Sequence, residues 1–243
     1  MNINEMHVTF RELAQQMGMQ TVRAILEEDI DILLNGEIIN TTREILLANV
    51  QQTPYIDKVI RQNSVIAPIN AIRTLYTSGK INVPNKTNVS EDDPYKVTIS
   101  DSSVMMYTGF KVTYNDYHAG SVFDCRIIEA EDLGQTIRDF CNRPAPDAPI
   151  VVVNKGANDN EISVEIYTGR NINTYTGKSN WKQPISLKYL YIKNPAKVNI
   201  ETGVSCDLPS YLHYEIVQRA VQTYLISIGA TSRTNGNQQQ NNQ

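Results

Sequence analysis

Between Tyr189 and Ile228 the spacing of apolar residues changes, and proline stands at the change. Ile185, Leu187, Tyr189 and Tyr191 recur at every second position, which places them on one face of a strand. Ser186, Lys188, Leu190 and Ile192 leave the opposite face only half polar, so that it too is suited to meeting a partner or another sheet. From Pro209 onward, Leu212, Ile216, Val217, Ala220, Val221, Tyr224, Leu225 and Ile228 recur at three and four, the pattern of a helix with one broad apolar stripe. Proline suits the first turn because the N–H it lacks has no partner there anyway. A chain ending on such a helix must find a second apolar face to cover it.

The opening residues offer that face. Thr9-Phe-Arg-Glu12 has the form of a capping box, and Leu13 and Met17 carry the stripe on to Gly18, which predicts a first helix of about two turns. Val22, Ile25, Leu26, Ile30, Leu33 and Leu34 predict a second helix from Thr21 to Gly36, its other face mostly acidic. Thr41-Thr-Arg-Glu44 repeats the box ahead of Ile45, Leu46 and Val50, and Pro54 opens Tyr55 to Ile60. Beyond residue 65 the composition shifts to β-branched and aromatic runs at 97–99, 104–113 and 121–128. One helix is expected inside this region, at 131–141, with Leu133, Ile137 and Phe140 on one face. Pro149 to Val153 and Glu161 to Tyr167 read as a β-hairpin, and Gly169 to Lys182 as a second hairpin-like connection.

The expected fold is therefore α+β. Residues 1–65 plus 207–230 form one helical unit, residues 66–206 an inserted antiparallel β domain with one internal helix, and residues 231–243 a polar Asn/Gln tail with nothing apolar to bury.

The formal charge is −4, and its acidic excess lies in residues 1–62, which carry nine acids against five bases. Clustered Lys and Arg of the kind that displace counterions from phosphates do not occur, which argues against sequence-specific nucleic-acid binding. No apolar run approaches membrane-spanning length, and the basic-then-apolar design of a secretion signal is missing, so cytosol-like surroundings are expected. Cys125, Cys141 and Cys206 are widely spaced with no histidine at ligand spacing and are expected to be buried thiols. The Asn-x-Ser/Thr triplets at Asn40, Asn85 and Asn88 carry no message without a signal peptide.

Motifs for chemistry are incomplete. Gly177-Lys-Ser179 ends like a phosphate-binding loop, but Ile172 stands where such a loop needs glycine. Neither Gly-x-Ser-x-Gly nor His-Glu-x-x-His occurs. His7, His118 and His213 lie on three separate elements and are expected in surface or capping roles. Asp92-Asp93 and Asn158-Asp-Asn-Glu161 lack the alternating ligands of a calcium loop. No catalytic, cofactor or metal residue is assigned. The 13 tyrosines, against four Phe and one Trp, suit either a half-buried sheet or a partly wet protein interface. Interface candidates are Trp181 and Tyr175 in the 169–184 connection, Tyr189 and Tyr191 on the strand, and Asn235, Gln238 and Gln243 in the tail.

Tyr189-Leu-Tyr-Ile-Lys-Asn-Pro195-Ala-Lys-Val, followed by Leu208-Pro-Ser-Tyr-Leu-His-Tyr-Glu-Ile-Val-Gln-Arg-Ala-Val221, resembles the closing segment of structural proteins from crAss-like bacteriophages. The helix, sheet, helix order is also similar to the head-to-tail adaptor, or tail tubular, proteins of short-tailed phages. The resemblance implies a non-enzymatic virion protein that forms a ring with copies of itself, a dodecamer, in the neck or tail beneath the portal vertex. Its implied partners are the portal protein and neighbouring tail proteins, with genomic DNA only passing through the channel and no membrane contact. Pro195, Pro209, Leu212, Ile216, Val217, Ala220 and Val221 match the pattern as fold-forming positions. The polar tail is not part of it. A different reading is a receptor- or glycan-binding accessory virion protein using Tyr and Trp181 as stacking platforms, and a third is a small hydrolase without a recognisable motif.

Overall fold

A computed structural model describes residues 1–17, 25–51 (48–51 for backbone only), 72–90, 92–158, 161–169 and 181–228. The chain is mixed α+β and divides into two units, Met1–Leu75 with Asn194–Gln243, and Tyr76–Lys193. Residues 194–206, expected with the β region, thus fold with the helices.

In the first unit, α1 (Ile3–Gln16) starts six residues before the predicted box at Thr9. Asn2 and Glu5 make the reciprocal cap instead, Glu5 N–H donating to Asn2 Oδ1 at 2.8 Å and Asn2 N–H to Glu5 Oε2 at 2.9 Å. The second correction is larger: α2 (Glu27–Gln51) runs without a break through Gly36 and through the second predicted box. Thr41, the residue that would cap in that box, lies mid-helix with its buried Oγ1 unpaired among the described residues, and the hydroxyl of neighbouring Thr42 donates to the Ile38 carbonyl one turn back at 2.8 Å. The predicted helix at 55–60 lies outside the described residues.

The last helix, α4 (Ser210–Ser227), packs against both α1 and α2. Pro209 sits just outside it, at the N-cap. Leu212, Ile216, Val217, Ala220, Val221 and Leu225 are buried with Ile3, Met6, Phe10 and Ala14 of α1 and Ile30, Leu34 and Ile38 of α2. Phe10 meets Tyr224 edge-on at 6.1 Å between ring centres, and Arg219 bridges Glu215 one turn back and Glu44 of α2. At about 1.5–3 kcal/mol for each large apolar side chain removed from water, this one interface outweighs the surface ion pairs beside it.

Two polar residues of α2 explain why 194–206 joins this unit. Asn35 Oδ1 accepts from Val198 N–H at 2.8 Å while its amide donates to the Val198 carbonyl at 3.0 Å. Asp31, one turn earlier, accepts from Ile200 N–H at 3.0 Å and, through its other oxygen, from His7 Nε2 at 2.8 Å. The carboxylate and amide thus do for an extended segment what a neighbouring strand does in a sheet. His7 is only 1 % exposed and His213 only 4 %, which corrects their expected surface roles. The His213 ring lies between the carbonyls of Met1 at 2.9 Å and Leu208 at 2.7 Å, tying the chain's start to α4.

The second unit is a seven-stranded sheet in the order β1-β7-β3-β4-β5-β6-β2. Its strands are β1 (Tyr76–Asn82), β2 (Tyr95–Ser100), β3 (Val104–Tyr114), β4 (Val122–Ile128), β5 (Ile150–Lys155), β6 (Glu161–Tyr167) and β7 (Pro184–Lys193). All pairings are antiparallel except β4 with β5, which is parallel and corrects the wholly antiparallel expectation. A parallel pair needs a crossover, and residues 129–149 with the short α3 (Leu133–Arg138) supply it. Phe140 falls outside α3 and is 76 % exposed, under the guanidinium of Arg143 rather than in the core. Val97, Ile99, Phe110, Val112, Tyr114, Val164, Ile166 and Leu187 fill the interior.

Candidate functional site

The strand register fixes where the aromatic candidates meet. Tyr107 of β3 lies opposite Tyr191 of β7, Phe110 opposite Tyr189, and Gly79 of β1 opposite Tyr189 on the other side. Tyr189 and Tyr191 stack at 5.6 Å, Tyr107 meets Tyr189 edge-on at 6.2 Å, and Tyr107 stacks on Phe110 at 5.8 Å. The cluster leans on the core through Tyr107 and Tyr189. Asp101, in the turn between β2 and β3, lies beside it: its carboxylate accepts from Ser103 Oγ at 2.6 Å and Ser103 N–H at 2.9 Å. Those bonds, the Ser103 hydroxyl first, hold Asp101 below the usual carboxylate range, while burial and then the Asp101 charge push the phenols of Tyr107 and Tyr189 up. The phenols of Tyr107 and Tyr189 are thus held in the neutral form.

Gly79 is where the cluster tolerates no side chain. A Cβ there would overlap the phenol end of Tyr189, whose ring is held by its stacking on Tyr191 and its contact with Tyr107. Gly79→Ala is expected to lower stability by about 1–3 kcal/mol, the cost of forcing an extra methyl into packed surroundings. Urea unfolding followed by Trp181 fluorescence checks it, and an unchanged midpoint would show that the ring moves aside freely.

Trp181, expected as an exposed anchor, is half-buried. It meets Tyr95 edge-on at 6.4 Å and Tyr167 at 6.0 Å, so its area is spent on the β core. Tyr175, Asn235, Gln238, Gln243 and the Gly177-Lys-Ser179 segment lie outside the described residues. Of the positions named as fold-forming, Pro195, Leu212, Ile216, Val217, Ala220 and Val221 are buried and Pro209 is half-buried.

Three large residues of α4 outside the interface candidates are also exposed. Tyr211 is 65 % exposed and Tyr214 54 % near the start of α4, and Ile226 is 65 % exposed in its last turn. On α2, Ile32 is likewise exposed at 68 %. The signal was present in the sequence: Tyr211 and Tyr214 fall between the stripe positions, where a lone soluble helix carries charged and polar residues.

Among the described residues, the histidines and cysteines of each unit have separate surroundings. His7 and His213 have separate partners in the helical unit, and exposed His118 sits in the β3–β4 connection with φ 44°. Cys125 and Cys206 are partly buried, whereas Cys141 is exposed, contrary to expectation. A polar cleft of about 420 Å³ between β4 and α3 holds Arg126, but its guanidinium is already bonded to the Asn142 side chain and carbonyl, and Asp139 serves Asn142 and Cys141. Among the described residues no group of three or more His, Cys, Asp or Glu is placed to hold a metal ion, and no helix is long and apolar enough to cross a membrane. No protein-family model matches the chain, and no curated protein matches it in sequence.

Proposed function

We propose that the chain is a structural virion subunit that assembles with copies of itself into a ring in the portal-proximal neck or tail of a tailed bacteriophage. In this reading the helical unit and its inserted β unit form an adaptor-like subunit that joins head to tail and lines the DNA ejection channel. The observation that supports it is the exposed pair Tyr211 and Tyr214 near the start of α4, a helix whose buried stripe already completes a core. Exposed tyrosines, which join a large contact area to a polar tip, are enriched at protein interfaces. One such surface can meet a different patch on the next copy, a heterologous contact that closes by rotation. The likeness of residues 189–221 to phage ring proteins gives the setting. Seventeen acids against seventeen bases in residues 63–243 would not grip a passing duplex.

Native mass measurement and negative-stain imaging of the purified chain, alone and mixed with portal protein, test the proposal. Rings or portal-bound complexes are expected, and Tyr211→Glu with Tyr214→Glu is expected to abolish them while leaving the helical circular dichroism unchanged. A chain that stays monomeric and ignores portal overturns the reading.

A further inference from the structure

Three neighbouring strands end at the same place in the β unit. The order β1-β7-β3 sets the last residue of β1, the first of β7 and the last of β3 side by side, since Asn82 pairs with Ser186 and Tyr114 with Pro184. The segments that continue from them line a cleft of about 730 Å³ with Asn82, Val83, Asn85, Asn115, Asp116, Gln183 and Ile185. A volume between about 300 and 1,000 Å³ is usual for a small-molecule site.

The lining is unusual in its chemistry. Asn82, Asn85 and Asn115 are exposed, and among the described residues none of the three side-chain amides has a hydrogen-bond partner. Each presents a carbonyl acceptor and an NH₂ with two donors. Gln183 is the fixed part of the wall: its carbonyl accepts from Lys86 N–H at 3.2 Å, and its amide donates to the carbonyls of Pro84 at 3.2 Å and Pro184 at 2.9 Å. Val83 N–H donates to the Ile185 carbonyl at 2.9 Å, so the floor is also pinned. The charge of Asp116 is shared with Lys182 at 3.5 Å. Ile185, 42 % exposed, adds one apolar wall.

We infer that this cleft is a binding site for a neutral, polyhydroxylated ligand, a saccharide. Paired donors and acceptors on three amides match neighbouring hydroxyls, each of which also donates and accepts, and Ile185 offers the apolar contact that the C–H face of a sugar ring needs. An anion is disfavoured, because the ammonium groups of Lys182 and Lys86 beside the cleft are each engaged by a carboxylate, Asp116 and Asp93. The preformed wall keeps the ordering cost of binding low. The site lies wholly within the β unit and is independent of whether the chain forms rings.

Saturation-transfer NMR on the full chain tests it, with glucose, galactose, mannose, rhamnose and N-acetylglucosamine as probes and inorganic phosphate as competitor. At least one sugar is expected to receive transfer at millimolar concentration, and Asn82→Ala with Asn115→Ala to weaken its binding by about tenfold or more, as the loss of hydrogen bonds worth about 1 kcal/mol each implies. Asn85→Ala, on a loop outside the strands, is the second variant and is expected to weaken binding in the same direction. Transfer to none of the sugars, transfer unchanged in the variants, or transfer displaced by phosphate each overturns the assignment.

Discussion

Asp31→Ala is expected to destabilise the helical unit by about 3–5 kcal/mol, the loss found when one partner of a buried polar pair is removed and the other is left behind. The carboxylate is 6 % exposed and serves two donors at once, His7 Nε2 of α1 and Ile200 N–H of the segment that returns from the sheet. Removing it strands both. His7 is the worse case, because its Nδ1 is buried without a partner, so the whole ring would then be unsatisfied. Asp31→Asn keeps one acceptor oxygen but turns an NH₂ toward the second donor, and its effect is expected to lie between that of Ala and the native residue. Urea unfolding followed by far-ultraviolet circular dichroism reads the helices directly. With total stabilities of about 5–15 kcal/mol for natural proteins, a loss of this size shifts the midpoint plainly. An unchanged midpoint in Asp31→Ala would mean that Asp31 does not join these segments in solution.

That junction also shows where the sequence stops being informative. The α4 stripe could be read because Leu212, Ile216, Val217, Ala220 and Val221 keep one period and all face the core. The β5–β6 hairpin could be read because apolar runs flank a polar turn. The segment 194–206 has no period, since it is held through its backbone by Asp31 and Asn35, and a side chain that bonds a distant backbone leaves no local mark. Strand β1 went unseen for a related reason: Tyr76-Thr-Ser-Gly-Lys-Ile-Asn82 lies at the sheet's edge, mostly exposed, and lacks apolar alternation. The threonine boxes misled because the box is a local pattern: both helices run through it, and at the second the neighbouring Thr42 hydroxyl bonds back to Ile38 inside α2.

The candidate surfaces divide along the same line. Tyr189 and Tyr191 were legible from a period of two, but their cluster with Tyr107 needed the β3–β7 register. Trp181 was misjudged because its polar neighbours in sequence are not its neighbours in space, which are Tyr95 and Tyr167. The amide-lined cleft was wholly hidden, since Asn82, Asn115 and Gln183 come together only through the strand order β1-β7-β3, a non-local fact.

The β unit is expected to lose stability steeply in alkali, starting near pH 9. Burial first, then the nearby Asp124 carboxylate, pushes the Cys125 thiol from an ordinary value of 9.0 up to about 12. Burial and then Asp116 push Tyr95 up to about 12 from 10.0, and burial raises Tyr114 and Tyr167 in the same direction. Above pH 9 the unfolded chain releases the thiol proton and above pH 10 the phenol protons, while the folded unit retains them. The folded state then binds more protons than the unfolded one, so stability is full below pH 9 and falls as pH rises toward 12. Cys125 alone amounts to about 1.4 kcal/mol per pH unit once well inside that window. Trp181, the one tryptophan, touches Tyr95 and Tyr167 and so reports this unit by its fluorescence, while tyrosinate absorbance follows the phenols. Urea titrations at stepped pH are expected to show stability falling between pH 9 and 10 in the native chain but flat over that interval in Cys125→Ala, with both falling above 10 as the buried tyrosines take over. A native chain whose unfolding free energy is level across pH 9–10 would show that Cys125 meets solvent, and with it that β3 and β4 do not pack as the register from Phe110–Cys125 to Thr113–Val122 requires.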